Sequence, residues 1–284
     1  MIIKKKNQKT INEKISFNGI GLFTGEKVSL NIYPADEDTG IVFLRKDLKN
    51  VPLIKIDLSL ITESDRRTMI GLDKNSIQTV EHLLSALYSL EIDNALIEIY
   101  GSEIPIYDGS SKYFVEKFLE IGLKDQNKIK KFFSINNPVY FSEDFTHIIA
   151  LPSNEFRISF TFHSKNTFIG SQYYSYLVDP ESYLEQIAPC RTFSVYEEIK
   201  YILDNNFIKG GSLDNAVVIK DNAVLNKEGV RFKDEMVRHK ILDMIGDLSL
   251  IGKRFNAHII SIKSGHLTNV KFAKLLNSHL VELS

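Results

Sequence analysis

The helical stretch VRHKILDMIGDL, residues 237–248, carries two side chains that could bind a metal ion. Its apolar residues recur at steps of three and four and form one stripe. His239 and Asp243 are four residues apart on the opposite side, and Gly246 leaves a gap beside them. Imidazole and carboxylate are ordinary ligands of transition metals. The simpler alternative is that this polar side faces water.

A second helix, predicted over residues 76–90, supplies a third candidate ligand. His82 points away from the apolar stripe of that helix, as His239 does in its own. If the two helices pack together, His82, His239 and Asp243 converge and leave a fourth position for water, which is the pattern of a catalytic zinc site. Glu81 lies about 100° around the helix from His82 and could reach that water without binding the metal. A structural Glu–His pair in a leucine-rich helix is the alternative.

Two loops add further polar candidates. The segment KSGH ends a predicted strand with Gly265 and then His266, a position where functional side chains are common. A polar loop histidine without a role is the alternative for His266. The segment APCRTF places the hydroxyl of Thr192 shortly after a proline, where it could cap a helix N-terminus.

The elements that position these residues occur twice. Each half contains a helix, a short turn and a strand beginning Asn-Ala, as in TVEHLLSALYSL…DNALIEIYGS and MVRHKILDMIGDLSL…NAHIISIKSG. We therefore predict an α+β fold of two similar domains, each contributing one helix to a shared interface. The polar segment 123–131 interrupts the periodicity, so it marks the boundary between domains 1–126 and 127–284.

Shorter periodic segments complete the predicted elements. β-branched and aromatic runs indicate strands at 27–35, 39–48, 94–102, 132–141, 147–153, 156–164, 216–220 and 256–265. Helical spacing indicates further helices at 112–122, at 196–206 and from Val270. Thr79 is the predicted cap of the helix that carries His82.

Composition limits the class of protein. The 284 residues carry a formal net charge of −1 with the signs interspersed, so the chain offers no extended basic face for a nucleic acid. Its one cysteine, Cys190, excludes an intrachain disulfide framework and is typical of a reducing compartment. The basic start MIIKKKNQKTI lacks the apolar region of a signal peptide. No apolar run reaches the roughly 18 residues that span a bilayer. We expect a cytoplasmic protein without a transmembrane segment.

Several longer motifs together resemble one enzyme family. In order they are TVEHLLSAL, DNALIEIYGSEIPIYDGS, RTF, KGGSLDNAVVI, VLNKEGVRFKDEMVRHKILDMIGDLSLIG and KSGH, preceded by TINEKISFNGIGLFTGEKVSLNIYPADEDTGIVFLR. These runs resemble the UDP-3-O-acyl-N-acetylglucosamine deacetylases, zinc-dependent enzymes of lipid A (lipopolysaccharide) biosynthesis in Gram-negative bacteria. The resemblance extends from about Lys9 to the end of the chain. It implies two similar α+β domains with the active site between them.

The resemblance implies a metal and a reaction. By similarity, His82, His239 and Asp243 bind Zn²⁺. Fe²⁺ is an alternative in the cell, because the relative affinities of divalent metals for a site do not by themselves decide which metal is bound. The implied reaction hydrolyses the N-acetyl group of UDP-3-O-acyl-N-acetylglucosamine to UDP-3-O-acyl-glucosamine and acetate, the committed step of lipid A biosynthesis. The alternatives are a zinc amidohydrolase acting on another N-acetyl sugar and a catalytically silent protein that binds a nucleotide sugar.

The resemblance also implies four catalytic roles. Glu81 matches the general base, and His266 matches the histidine that protonates the leaving amine. Thr192 matches the hydroxyl that stabilises the oxyanion, and Asp247 matches the carboxylate that orients His266. A base beside a bound metal is expected to have a low pKa.

Further matches concern the substrate. By similarity, Lys240, Phe193 and Leu22 contact the nucleotide sugar. The segment at about 194–215 corresponds to an insert that forms an apolar acyl tunnel, and its candidate walls are Ile199, Ile202 and Phe207.

The chain departs from the family pattern in the early loop, where Phe23 stands in place of the usual histidine. Any polar role of that position is therefore absent.

The implied partner is the acylated UDP-sugar, with no nucleic acid. We expect a monomer whose contact with membranes is peripheral and occurs through the lipid substrate.

Overall fold

The computed structural model describes residues 6–62, 66–205 and 207–283. Within these ranges the α-helices are, in chain order, α1 (Glu81–Ser89), α2 (Lys112–Ile121), α3 (Pro180–Gln186), α4 (Tyr196–Asp204), α5 (Glu235–Ser249) and α6 (His266–Asn277). Two single-turn 3₁₀ helices lie at Leu58–Leu60 and Asp73–Asn75. In the same ranges no helix is both long and apolar enough to cross a membrane.

Five strands from the first half of the chain form a mixed sheet, the amino-terminal sheet. Across the sheet they are Ile15–Ile20, Lys27–Pro34, Ala95–Tyr100, Ile41–Arg45 and Ile54–Lys55. The central strand Ala95–Tyr100 is antiparallel to Lys27–Pro34 and parallel to Ile41–Arg45. Alternate residues of Lys27–Pro34 are buried, as expected of a strand with one face on the core.

Seven strands from the second half form another mixed sheet, the carboxyl-terminal sheet. In chain order they are Phe132–Ser134, Val139–Glu143, Thr146–Leu151, Phe156–His163, Ser171–Leu177, Arg254–Ile262 and Val281–Glu282. Arg254–Ile262 is antiparallel to Thr146–Leu151 and parallel to Phe156–His163, so it has the same kinds of neighbour as the central strand of the amino-terminal sheet. The helix before it is α5, and the helix before Ala95–Tyr100 is α1. The predicted repeat of helix and strand is therefore present, and the fold is α+β.

Three smaller sheets contain the remaining strands. They pair Asn7–Ile11 with Leu123–Ile129, join Ile61–Thr62, Met69–Ile70 and Ile77–Gln78, and join Phe193–Val195, Val217–Lys220 and Ala223–Val224. The polar segment predicted to mark the domain boundary thus contains a strand. Most residues of Leu123–Ile129 are exposed, which accounts for their polar composition.

The start of α1 differs from the prediction. The helix begins at Glu81 rather than at residue 76, because Ile77–Gln78 belongs to a strand. The predicted cap at Thr79 is wrong. Its φ angle is 59°, and its hydroxyl donates to Glu103 Oε1 at 3.0 Å instead of capping the helix.

The start of α6 also differs. The helix begins at His266, four residues before the predicted start at Val270. The hydroxyl of Thr268 accepts from the N–H of Gly265 and donates to its carbonyl, both at 3.0 Å, which satisfies backbone groups at this end. His266 therefore occupies the first turn of a helix rather than a loop.

One apolar core runs through both halves. It extends from Ile11 to Leu276 and includes residues of α1 and α5. All but one of the 9 residues of α1 and all but two of the 15 residues of α5 are buried. The alternative in which the polar side of α5 faces water is therefore wrong.

Candidate active site

α1 and α5 cross where the backbone of one helix touches the other. A Cβ atom added to Gly246 would lie 2.2 Å from the carbonyl oxygen of Glu81. The gap beside His239 and Asp243 is therefore filled by the other helix. The close approach places the rings of His82 and His239 edge to face, with 5.1 Å between their centroids.

Three potential metal ligands converge at this crossing. His239 Nε2 lies 3.3 Å from Asp243 Oδ1, and His82 Nε2 lies 3.8 Å from the same oxygen. One ligand atom from each residue lies within 4.8 Å of the other two. All three side chains are buried. The structure thus brings together the three residues that the sequence singles out as ligands.

Neighbouring groups occupy the outer atoms of two of these ligands. His239 Nδ1 lies 3.0 Å from the carbonyl oxygen of Cys190, a contact that assigns the proton to Nδ1 and leaves the Nε2 lone pair toward Asp243. Lys240 Nζ donates to Asp243 Oδ2 at 2.8 Å. Asp243 Oδ1, in contrast, is buried and has no hydrogen-bond partner among the residues that the structure describes. A buried carboxylate oxygen without a donor is costly, and a bound cation would remove that cost.

The spacing and protonation of the three side chains fit a metal ion. Two ligands of a tetrahedral zinc ion lie about 3.3 Å apart, since each is about 2.0 Å from the metal. Burial, together with His239, lowers the pKa of His82 to about 3, and burial lowers the pKa of His239. Burial opposes ionisation of Asp243, but His239 and Lys240 outweigh it and hold the pKa of that carboxyl well below its usual range. Neutral imidazoles and an ionised carboxylate are the forms that bind metals.

Glu81 and His266 face the same space. His266 Nε2 lies 4.0 Å from Glu81 Oε1 and 3.8 Å from Asp243 Oδ2. Burial raises the pKa of Glu81 to about 7, against the opposing effect of His266. The low value was predicted for a base beside a bound metal and stays a prediction. Burial by itself would lower the pKa of His266, but Asp247 and Asp243 raise it to about 9. A carboxyl group and an imidazolium therefore lie beside the candidate ligands.

Asp247 determines the orientation of the His266 ring. His266 Nδ1 lies 3.0 Å from Asp247 Oδ2, so it donates to this carboxylate and Nε2 is turned toward Glu81. Asn269 Nδ2 donates to the same oxygen at 2.8 Å. Asp247 is fully buried. The predicted pairing of His266 and Asp247 is present in the structure.

Phe193 and Lys240 lie beside the candidate ligands. The centroid of the Phe193 ring is 6.1 Å from that of His239, and Lys240 Nζ is 5.6 Å from the Phe193 centroid. Thr192 immediately precedes the strand Phe193–Val195. Its carbonyl accepts from the N–H of Val217, in the neighbouring strand Val217–Lys220, at 2.8 Å. The alternative in which Thr192 caps a helix is therefore wrong.

A buried ion pair holds the segment before Thr192 in place. Arg191 Nε and the backbone N–H of Arg191 both donate to Glu235 Oε1, at 2.9 and 3.0 Å. Both side chains are almost fully buried. Because Glu235 begins α5, this pair fixes the carbonyl of Cys190 against His239 on the same helix. No pattern in the sequence indicates either member of the pair.

The loop that contains Leu22 contacts the predicted insert. The N–H of Gly210 donates to the carbonyl of Leu22 at 2.9 Å, and the N–H of Lys209 donates to that of Phe23 at 3.1 Å. Glu103 holds the other side of the loop and accepts from the N–H of Phe23 at 2.9 Å. Leu22 is thus next to the insert rather than isolated from it.

The three candidate tunnel walls differ in their surroundings. Ile199 is buried on α4, which packs on the strands Phe193–Val195 and Val217–Lys220. The side chain of Phe207 is 60% exposed. The side chain of Ile202 lies outside the part of the chain that the structure describes. The acyl tunnel therefore remains a prediction.

Comparison with known proteins identifies the family. Residues 8–278 match the family model of UDP-3-O-acyl N-acetylglycosamine deacetylase. The chain belongs to this family. The resemblance found in the sequence motifs is confirmed.

Three similar proteins of the deacetylase family support this assignment, and each is named UDP-3-O-acyl-N-acetylglucosamine deacetylase. The protein of Thermodesulfovibrio yellowstonii is 45% identical over 278 residues, which are 98% of this chain and 94% of that protein. The protein of Chlamydia pneumoniae is 41% identical over 275 residues, 95% of this chain and 96% of its own. The protein of Chlamydia muridarum is 43% identical over 264 residues, 93% of this chain and 92% of its own.

Two residues of this member of the deacetylase family were not predicted to be near the site. The N–H of Thr68 donates to Glu81 Oε2 at 3.1 Å. The guanidinium of Arg67 lies 4.1 Å from the centroid of the Phe23 ring. A cationic side chain thus lies against the ring of Phe23, the residue that stands where the family usually has histidine. Both residues lie in DRRTM, which has no periodic pattern that could have indicated them.

A cavity of about 310 Å³ lies elsewhere in the molecule. It is bounded by residues of α1, such as Leu84 and Leu87, and by Lys130 and Arg254. Its lining includes none of the predicted site residues. The candidate active site is therefore recognised by its chemistry rather than by the size of a cavity.

Proposed function

We propose that this protein hydrolyses the N-acetyl group of UDP-3-O-acyl-N-acetylglucosamine, giving UDP-3-O-acyl-glucosamine and acetate, in a metal-dependent reaction. In the family this is the committed step of lipid A biosynthesis. The observation that carries the proposal is the buried Asp243 Oδ1, which has no hydrogen-bond partner in the described part of the chain and has two imidazole nitrogens beside it. Glu81 and His266 lie next to this group, which is the set of side chains that amide hydrolysis needs.

The metal would be held by His82, His239 and Asp243. Zn²⁺ suits two imidazoles and one carboxylate with an open fourth position, and Fe²⁺ is the alternative ion. When bound, such an ion polarises the acetyl carbonyl and makes a nearby water more acidic.

The remaining steps are assigned to protein side chains. Glu81 accepts a proton from the attacking water as the new carbon–oxygen bond forms. The hydroxyl of Thr192 donates to the oxyanion that replaces the carbonyl oxygen. His266 Nε2 donates a proton to the amide nitrogen as the carbon–nitrogen bond breaks, and Asp247 keeps His266 oriented for this transfer. Acetate and the free amine of the sugar leave.

Substrate contacts are proposed on both sides of the ligands. Lys240, Phe193 and Leu22 contact the nucleotide sugar. The segment at about 194–215 forms the acyl tunnel, with Ile199, Ile202 and Phe207 as candidate walls. The burial of Ile199 supports an apolar environment there, whereas the exposure of Phe207 favours a place at the rim.

We propose two similar domains, residues 1–126 and 127–284, with the active site between them. The parallel and antiparallel neighbours of the two central strands support this division. So does the pairing of α1 from one half with α5 from the other. The protein would act as a cytoplasmic monomer and contact membranes only through its lipid substrate.

The test combines metal analysis with a substrate series. Purified protein is expected to contain about one metal ion per chain and to release acetate from UDP-3-O-acyl-N-acetylglucosamine. UDP-N-acetylglucosamine, which lacks the acyl chain, and free N-acetylglucosamine are expected to react far more slowly. Equal rates on all three would indicate an amidohydrolase of another N-acetyl sugar. Binding of the acylated substrate without acetate release would indicate a silent binding protein.

A variant separates the base from the ligands. Glu81→Gln keeps the shape of the side chain but cannot accept the proton. We expect it to retain the metal and to lose about 10²- to 10⁴-fold in turnover. Loss of the metal together with loss of folded protein would instead assign Glu81 a structural role.

A further inference from the structure

Thr68 contacts the proposed base and the proposed acid pair at the same time. Its hydroxyl donates to Asp247 Oδ1 at 2.5 Å, and its backbone N–H donates to Glu81 Oε2 at 3.1 Å. The hydroxyl oxygen also lies 3.3 Å from His266 Nδ1. Only 2% of Thr68 is exposed, so water does not compete for these contacts.

These contacts join elements that are remote in the chain. Glu81 begins α1, Asp247 belongs to α5 and His266 begins α6. Thr68 immediately precedes the strand Met69–Ile70. One short segment therefore links three helices at the point where their functional side chains meet.

The hydroxyl of Thr68 restrains the carboxylate of Asp247. It donates to Oδ1, Asn269 donates to Oδ2, and His266 Nδ1 lies 3.2 Å from Oδ1 and 3.0 Å from Oδ2, so the carboxylate is held from three directions. Without the hydroxyl, Oδ1 would lose a donor in a fully buried place. The carboxylate could then rotate, and the His266 ring that rests on it would turn with it.

We propose that Thr68 is a positioning residue that sets the placement of Glu81 relative to the His266–Asp247 pair. For its catalytic consequence the proposal rests on the proposed function. Thr68 acts through other side chains, and within the described residues none of its hydrogen bonds goes to a candidate metal ligand. Its hydroxyl therefore governs turnover and leaves metal content and substrate affinity unchanged.

The test compares two substitutions. Thr68→Val keeps the side-chain volume and removes the hydroxyl, whereas Thr68→Ser keeps the hydroxyl. We expect Thr68→Val to lower kcat by about 10- to 100-fold with KM and metal content close to those of the unsubstituted protein, because small displacements of catalytic groups have effects of this size. Thr68→Ser should restore most of the kcat. An unchanged kcat in Thr68→Val, or no restoration by serine, would overturn the proposal.

Thr10 provides a matched control for the loss of a buried hydroxyl. It is also buried, and its hydroxyl donates to the carbonyl of Asn94 at 2.7 Å, remote from the site. Thr10→Val should reduce the stability of the fold but leave kcat unchanged. An equal fall in kcat would mean that the effect of Thr68→Val is a general loss of stability, and the proposal would fail.

A double substitution tests the route through Asp247. If Thr68 acts through this carboxylate, Thr68→Val should lower kcat in an Asp247→Asn background by less than about 3-fold, since coupled residues are not additive. Full multiplication of the two effects would contradict that route.

A spectroscopic measurement makes the inference independent of turnover. The Nδ1 proton of His266 can be assigned by nuclear magnetic resonance from its absence in His266→Ala. We expect its resonance to shift in Thr68→Val and to stay in place in Thr10→Val. If the unsubstituted protein releases no acetate, the proposed function fails while this measurement still decides the role of Thr68. An unmoved resonance would exclude that role.

Discussion

His239 and Asp243 are suited to bind a metal because other groups already occupy their outer atoms. The carbonyl of Cys190 accepts a hydrogen bond from His239 Nδ1, and Lys240 Nζ donates one to Asp243 Oδ2. The atoms left over face each other at 3.3 Å. Outer partners of this kind orient ligands before the metal arrives.

The first prediction concerns metal binding. His239→Ala should weaken metal affinity by more than about 100-fold, because a direct ligand matters more than the outer partners that have effects of this size. Metal content after dialysis is the measurement, with acetate release measured in parallel. His279→Ala is the control, since His279 is exposed and its Nδ1 contacts Ser278 and Leu275 at the end of its own helix. A His239→Ala protein with full metal content would remove His239 from the ligand set.

The second prediction concerns pH. His266 is protonated below its raised pKa of about 9, so activity that needs this acid is lost as pH rises through that pKa. Asp247 is the largest influence that raises it. Asp247→Asn should therefore move the basic limb of the rate profile about one pH unit or more toward lower pH and reduce its maximum.

The measurement is turnover against pH for the two proteins at equal metal content. His266→Ala should flatten the same limb while the metal stays bound. If the limb is unchanged in both variants, the acid is another group, such as Lys240.

At the level of elements, the site depends on how closely α1 and α5 cross. Gly246 permits this approach because its missing side chain leaves room for the carbonyl of Glu81. The same crossing brings His82 of α1 to His239 of α5. Glycine disfavours a helix, but at position 246 it is the residue that allows the ligands to meet.

The third prediction concerns this contact. Gly246→Ala should destabilise the protein by about 1–3 kcal/mol through overpacking, although alanine favours an isolated helix by roughly 1 kcal/mol. Turnover should also fall, since Glu81 is the residue displaced. Denaturant unfolding measures the first effect.

Gly265→Ala is the steric control, because a Cβ at that position meets no atom of the described residues within 4 Å. Its cost should not exceed about 1 kcal/mol, the usual range for a helix cap. A Gly246→Ala protein as stable as this control would mean that the helices can move apart freely.

At the level of the whole molecule, the apolar core passes through both proposed domains. Residues of α1, such as Leu83, and of α5, such as Ile241, belong to the same buried cluster. Separating the halves would expose the two helices that carry the ligands. The site and the stability of the fold therefore depend on the same interface.

The fourth prediction follows from this shared core. The protein should unfold in a single transition, with calorimetric and van't Hoff enthalpies in a ratio of about 1. Differential scanning calorimetry and denaturant unfolding with two independent probes are the measurements. Two separated transitions would show that each half has a core of its own and that the interface contributes little.

Local patterns in the sequence were sufficient for the elements that carry the ligands. The period of the apolar residues predicted α5 and most of α1, and it placed His82 and His239 opposite the apolar stripes. The long motifs around Glu81, Asp247 and His266 indicated the family. These features are visible because helix periodicity and motif spacing are local properties of the chain.

The tertiary structure decided what depends on contacts between distant residues. Thr68 and Asp247 are 179 positions apart, and no periodicity connects them. The raised pKa of Glu81 comes mainly from burial, which is known only once α1 and α5 are packed. The filled gap at Gly246 has the same origin. The sequence by itself thus determined which residues could do the chemistry, and the packing determined their distances and charges, because burial and contact are properties of the folded chain.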